Sequence, residues 1–297
     1  MLFTYRATMV NRETGRVENV GTTVDTDKWF DFMRKDERGL YGNSADLVEQ
    51  HLIPLLSGDD LEAISNAVFQ LYEGWRPRNK IVIFQLAMFV WAGYRAGRYS
   101  ADVWATVFAF AWQSGSRGML AATKLTQSQV IEMFKAAPRH TLLRMGEFEG
   151  EDLNRDYDAL PEQIQVFRGV STGIDHFEDG FSWTLDVAQC MTFAALNCQN
   201  KKEIPGFVLA TIPKQAILAM FSYENEVVVD PTVPKIEVAK RFLRGKELRD
   251  FRREVDVEEN TRDVIFRTGY EENRKRRMAD VGIGSAQQNY VGAATST

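Results

Sequence analysis

Glu224 and Glu226 stand two positions apart in "YENEVVVDP", residues 223–231, and two carboxylates at that spacing can divide the work of a polar reaction. In an extended chain alternate side chains share a face, so the pair lies roughly 6.6 Å apart on one side. The pattern predicts a strand over 224–230. Its core side would carry Tyr223, Asn225, Val227 and Val229, and its acidic side Glu224, Glu226, Val228 and Asp230.

Two further polar features interrupt apolar runs. In "IQVFRGV" (164–170) Arg168 shares a face with Val166 and Val170, which fixes a guanidinium on an apolar surface. A planar fork of donors there suits a phosphate or a carboxylate, and Gly169 allows another group to approach the backbone closely. In "FSWTLD" (181–186) Ser182 and Thr184 point the same way on a strand that runs into a helix, where hydroxyls can orient a neighbouring acid. Singly, each has an ordinary reading: a structural ion pair for Arg168, strand decoration for the hydroxyls, a solvated face for the two acids, core for Trp183 and Phe193.

Elements to position these residues are legible on both sides. Residues 1–24 alternate around "NRETGR", which predicts a hairpin. From Ser44 to about Ala137 apolar residues recur at three- and four-residue spacing, with breaks at Gly74 and Pro77, at Gly97 and at "SGSRG" (114–118). The runs 81–94 and 101–112 fall short of the roughly 20 residues needed to span a bilayer and read as buried helices. Residues 147–163 are acidic and read as a linker or a surface segment. Short β-type runs follow at 164–170, 206–212, 224–230 and 235–239, with a helix from 186 whose Asp186 and Gln189 suggest a capping box. The fold class is therefore α+β, divided as 1–150 (hairpin and helical region), 151–245 (a small β-rich domain) and 246–297 (a charged extension and a tail too poor in apolar residues to order itself).

The ordered set of polar features resembles the arginine–serine–glutamate class of mono-ADP-ribosyltransferases. Over residues 160–240, Arg168-Gly169 is followed by Ser182-Trp183-Thr184, then Phe193-Ala194, then Glu224-Asn225-Glu226 entering an aliphatic strand. Trp183 stands where the family more commonly has Thr. The resemblance implies a split-β-sheet ADP-ribosyltransferase domain with NAD as co-substrate and no metal. Arg168 would hold the pyrophosphate and the backbone of Gly169 the nicotinamide carboxamide. Ser182 would orient Glu226, with Thr184 beside it in the NAD-binding set and Phe193 stacking on nicotinamide. Glu226 would bond the ribose hydroxyls and stabilise the oxocarbenium charge of the transition state. Glu224 would face the acceptor, with Phe221 and Tyr223 in the preceding turn recognising it.

That class implies a macromolecular acceptor, a protein arginine first and nucleic acid second. It also implies a phage or bacterial effector or toxin in the cytoplasm of a bacterial host, for which an inhibitor or antitoxin is a compatible partner. An NAD glycohydrolase, a non-catalytic phage structural or interaction protein and a two-carboxylate glycosidase are the alternatives. Composition narrows the field further. Hydrophobic residues at 44% and charged residues at 26% mark a globular chain, and a net charge of −5 selects neither nucleic acid nor anionic lipid overall. Residues 235–279, with 14 Lys and Arg against 10 Asp and Glu, are the one stretch suited to a polyanion. Two cysteines, Cys190 and Cys198, provide no disulfide framework: on one helix they would be about 12 Å apart. His51, His140 and His176 lack metal-ligand spacing.

Overall fold

The structure is a computed structural model that describes residues 2–10, 17–25, 48–73, 79–115, 120, 125–147, 151–172, 180–196, 198, 202–222 and 225–251. The alternating start of the chain forms the expected hairpin, β1 (Leu2–Val10) and β2 (Val17–Asp25), paired antiparallel from Leu2 opposite Asp25 to Val10 opposite Val17.

Helices follow. A π-helical turn (Val48–Leu52) runs into α1 (Ile53–Leu56), whose first turn holds Pro54, where a missing N–H costs no helical bond. After α2 (Leu61–Glu73) come the two apolar runs, as α3 (Asn79–Arg95) and α4 (Ala101–Gln113). Every residue from Val82 to Trp91 is buried, as a helix apolar on all sides requires. Ser100 caps α4 by accepting from the Val103 N–H at 3.2 Å. Trp104, Phe108 and Trp112 recur every fourth residue of α4 and so share one face. α5 (Gln127–Ala136) begins with a reciprocal box between Thr126 and Gln129, and α6 (Arg139–Gly146) follows it. Among the described residues no helix is long and apolar enough to cross a membrane.

The acidic stretch expected to be a linker or a surface segment contains a helix, α7 (Leu153–Ala159). Asp152 caps it through the Arg155 N–H at 2.9 Å, and Leu153 and Tyr157, four residues apart, supply a buried stripe just wide enough to dock it.

The strands are β3 (Gln163–Ser171), β4 (Ser182–Thr184), β5 (Pro205–Pro213), β6 (Ile217–Phe221), β7 (Glu226–Val229) and β8 (Glu237–Phe242), with α8 (Val187–Leu196) after β4. They form one sheet in the order β6-β7-β4-β3-β5-β8. Architecture at the coarse level is thus α+β. Sequence periodicity does not reveal β6, because "ILAMF" is buried throughout and has no polar face to alternate.

By contacts the chain divides into two units, Met1–Arg168 with His176–Cys190 and Val208–Ala239, and Gly169–Asp175 with Met191–Phe207 and Lys240–Thr297. Within the first unit one buried cluster joins Leu86, Trp104 and Phe134 of the helices to Ala219, Phe221 and Val228 of the strands, so its core crosses residue 150.

Candidate functional site

β4 is the centre of the site. It pairs antiparallel with β7, Ser182 opposite Val228, Trp183 opposite Val227 and Thr184 opposite Glu226. Directly opposed residues project to the same face, so Ser182, Thr184, Glu226 and Val228 share one face, and Trp183 and Val227 the other. Phe221, opposite Glu226, and Ala219, opposite Val228, extend the first face onto β6 and belong to the core shared with the helices. Glu226 therefore points toward the helices.

Glu226 is 8% exposed. Burying a carboxylate is costly unless donors meet it. One donor is Trp112 of α4, whose indole N–H lies 3.2 Å from each carboxylate oxygen. The resemblance assigned the orienting role to Ser182, which sits half-buried two residues along β4, and the indole is a donor that the resemblance did not name. Trp112 is separated from Glu226 by 114 positions, and no local pattern in the sequence could have found it.

β7 begins only at Glu226. Asn225 has φ +47°, in the left-handed region that Asn tolerates better than most residues, and its N–H closes a turn onto the Ser222 carbonyl at 3.0 Å. Alternation therefore stops at the turn, and the expected strand over 224–230 is shortened. The expected acidic face is a buried one as well, since all four residues of β7 are buried. Phe221, expected in the turn, is the buried last residue of β6. Tyr223 and Glu224 lie outside the described residues.

Thr184 is buried and its hydroxyl accepts from the Asp186 N–H at 3.0 Å. Asp186 in turn caps α8 by accepting from the Ala188 N–H at 2.7 Å. The cap is the expected one. Its partner is not, because the Asp186 N–H is satisfied by Thr184 rather than by Gln189. Asn225 Nδ2 reaches Asp186 Oδ2 at 3.4 Å, which links the turn before Glu226 to the same cap.

Arg168 lies on the other side of β4 from Glu226. Phe167 is opposite Thr184 and shares its face, so Arg168, next along β3, comes off on the Trp183 side. Its Cζ is 6.0 Å from the centre of the Trp183 ring, and its Nη1 donates to the backbone carbonyl of Ser182. The guanidinium also lies so close to Gly180 that a Cβ there would fall on it. Lys235 Nζ is 5.6 Å from the same ring, so two cations flank Trp183. The structure brings Ser182, Thr184 and Glu226 to one face and Arg168 to the backbone of the same strand. It does not bring Arg168 and Glu226 onto one surface.

Gly169 is the next residue of β3 and is buried, and Phe193 is half-buried on α8; both belong to the second unit. Among the described residues no group of three or more His, Cys, Asp and Glu could hold a metal ion. Comparison of the chain with protein-family models, with curated proteins and with solved structures finds no match.

Proposed function

We propose that this chain is a mono-ADP-ribosyltransferase that cleaves NAD at the nicotinamide bond and passes ADP-ribose to a macromolecular acceptor. The observation that carries this reading is the setting of Glu226, a buried carboxylate at the start of an aliphatic strand, directly opposite Thr184 and with both oxygens held by an indole donor. A fixed carboxylate in a site of low dielectric stabilises a developing oxocarbenium ion more than it stabilises neutral ribose. Arg168 supplies the cation for the pyrophosphate, bonded to β4 two residues before Thr184. Glu224 would orient an acceptor guanidinium, which makes a protein arginine the favoured acceptor and a nucleobase the second. A bacterial effector or toxin working in the cytoplasm of its host is the setting we propose.

The test is incubation with labelled NAD and a bacterial lysate, followed by parallel protease and nuclease digestion. Label on protein, together with a loss of nicotinamide release on the order of 100-fold in Glu226→Gln, is the expected result. Nicotinamide release without any adduct would instead identify an NAD glycohydrolase. A second reading, a non-catalytic interaction protein, is favoured by the low exposure of Glu226 and by the position of Arg168 across β4 from it. Absent NAD turnover, or turnover indifferent to Glu226→Gln, would establish that reading.

A further inference from the structure

We infer that Trp112 is the positioning residue of the site, a rigid donor on α4 that fixes the rotation of the Glu226 carboxylate; the catalytic part of this inference rests on the function proposed above. The indole has little freedom. Its ring is packed edge-on against Phe108 at 6.2 Å, Phe134 at 4.8 Å and Phe181 at 5.9 Å, at interplanar angles of 61°, 77° and 81°. Trp112 is 1% exposed, so its N–H direction is set by packing on three sides and not by the bond it makes.

Phe181 immediately precedes Ser182, and its carbonyl accepts from the Val229 N–H at 2.8 Å, so the aromatic box is anchored to both strands of the site. Trp104, two turns earlier on α4, spends its N–H on the Met133 carbonyl at 3.0 Å, and Trp183 spends its own on the Gly180 carbonyl at 2.8 Å. Trp112 aims instead at a titratable side chain. Its N–H is shared evenly between the two oxygens, which locks the carboxylate plane without saturating a group that has about four acceptor sites. Pre-orientation of this kind lowers the barrier by holding the acid where charge develops. A helix that the sequence offers as part of a separate region therefore positions the acid of the site.

Trp112→Phe keeps the ring and deletes the N–H. Expected are a kcat lower by roughly tenfold and a KM for NAD changed less than about twofold, because the carboxylate is still present but has lost its rigid indole donor. A purely structural tryptophan would lower the melting temperature and leave kcat per folded molecule unchanged. The second readout does not depend on turnover. Of the six indole N–H resonances in a 15N spectrum, the one deleted by Trp112→Phe is expected to shift in Glu226→Gln. Should Trp112→Phe fail to fold, a single strongly shifted indole resonance in Glu226→Gln carries the same information. Unchanged kcat in Trp112→Phe, while Glu226→Gln abolishes turnover, would overturn the inference and leave the proposed function standing. Turnover that survives Glu226→Gln would overturn the proposed function instead, and an indole resonance that stays in place would remove the bond itself.

Discussion

Lys135 on α5 and Asp230, the residue after β7, form an ion pair at 2.9 Å. With Trp112 on Glu226 at the other end, β7 is held to the helices at both of its ends. Asp230 is nearly inaccessible and Lys135 is 61% exposed, so the two partners are unequal. Burial, the largest influence on the Asp230 carboxyl, would raise its pKa. The Thr232 hydroxyl at 2.6 Å, Lys135 and the Thr232 N–H at 3.0 Å together outweigh burial and hold it below its ordinary 3.8.

Asp230→Asn should therefore cost about 1.5–3 kcal/mol at neutral pH, the value of hydrogen bonds to a charged group, and Lys135→Met less than about 1 kcal/mol because water screens its exposed charge. The sign follows from linkage. A carboxyl whose folded pKa is depressed contributes stability that is fully present above its unfolded value of 3.8 and is lost as pH falls through the lower, folded value. Urea unfolding at pH 7 and pH 3 should show the gap between wild type and Asp230→Asn narrowing in acid. An equal gap at both pH values would contradict this account.

Gly146, the last residue of α6, predicts a different kind of loss. A Cβ there would meet the Met220 carbonyl, the Phe221 ring at 2.9 Å and Leu153 at 3.3 Å, and the carbonyl belongs to β6 and cannot swing away. Gly146→Ala should destabilise by roughly 1–3 kcal/mol through overpacking, read as a lower urea midpoint with an unchanged slope. A midpoint equal to wild type would mean that the helix and β6 separate more readily than their packing implies.

What the sequence makes legible here depends on how far the determining contact lies. α3 and α4 are plain because continuous apolar runs of that length need only burial. Arg168, Ser182 and Glu226 stand out because a charge or hydroxyl in a largely apolar β-type run is conspicuous. The start of β7 is hidden because the left-handed backbone of Asn225, not the alternation of its neighbours, decides it. α7 is hidden because two apolar residues in an acidic stretch give too little periodicity, although they suffice once a surface exists to receive them. The side of β4 on which Arg168 emerges follows from pairing register, which sequence does not fix over a three-residue strand.

The cysteines should differ sharply in reactivity. Both are free. Cys190 is buried on α8, and burial, with the nearby Asp186 charge adding to it, pushes its thiol up to about 12. At pH 8 that leaves only about one thiolate in ten thousand. Cys198 is partly exposed and donates weakly to the Ala194 carbonyl at 3.4 Å. Maleimide should modify Cys198 promptly and Cys190 only on unfolding, so mass spectrometry should find one adduct in native buffer and two in denaturant. Because the folded thiol pKa is raised above its ordinary 9.0, its contribution to stability is complete below pH 9 and declines as pH rises toward 12. Two rapid adducts on the native protein would refute the burial of Cys190.

Gly180→Ala offers a way to disturb Arg168 without touching Arg168. The added Cβ would fall on the guanidinium itself, at Cζ and both terminal nitrogens. The Gly180 backbone cannot easily yield, because its carbonyl accepts the Trp183 indole N–H at 2.8 Å. The guanidinium can, since it is the far end of a flexible side chain. Arg168 is thus expected to leave the Ser182 carbonyl, at a cost to stability within about 1 kcal/mol, the net worth of an ordinary hydrogen bond. If Arg168 holds the pyrophosphate, displacing it should weaken NAD in the ground state and the transition state alike, raising KM for NAD by roughly tenfold with little change in kcat. The profile is the inverse of that expected for Trp112→Phe, so the pair of variants separates anchoring of the co-substrate from orientation of the acid. An unchanged KM in Gly180→Ala, with Arg168→Ala equally silent, would assign the guanidinium to tying β3 to β4 and remove it from NAD binding.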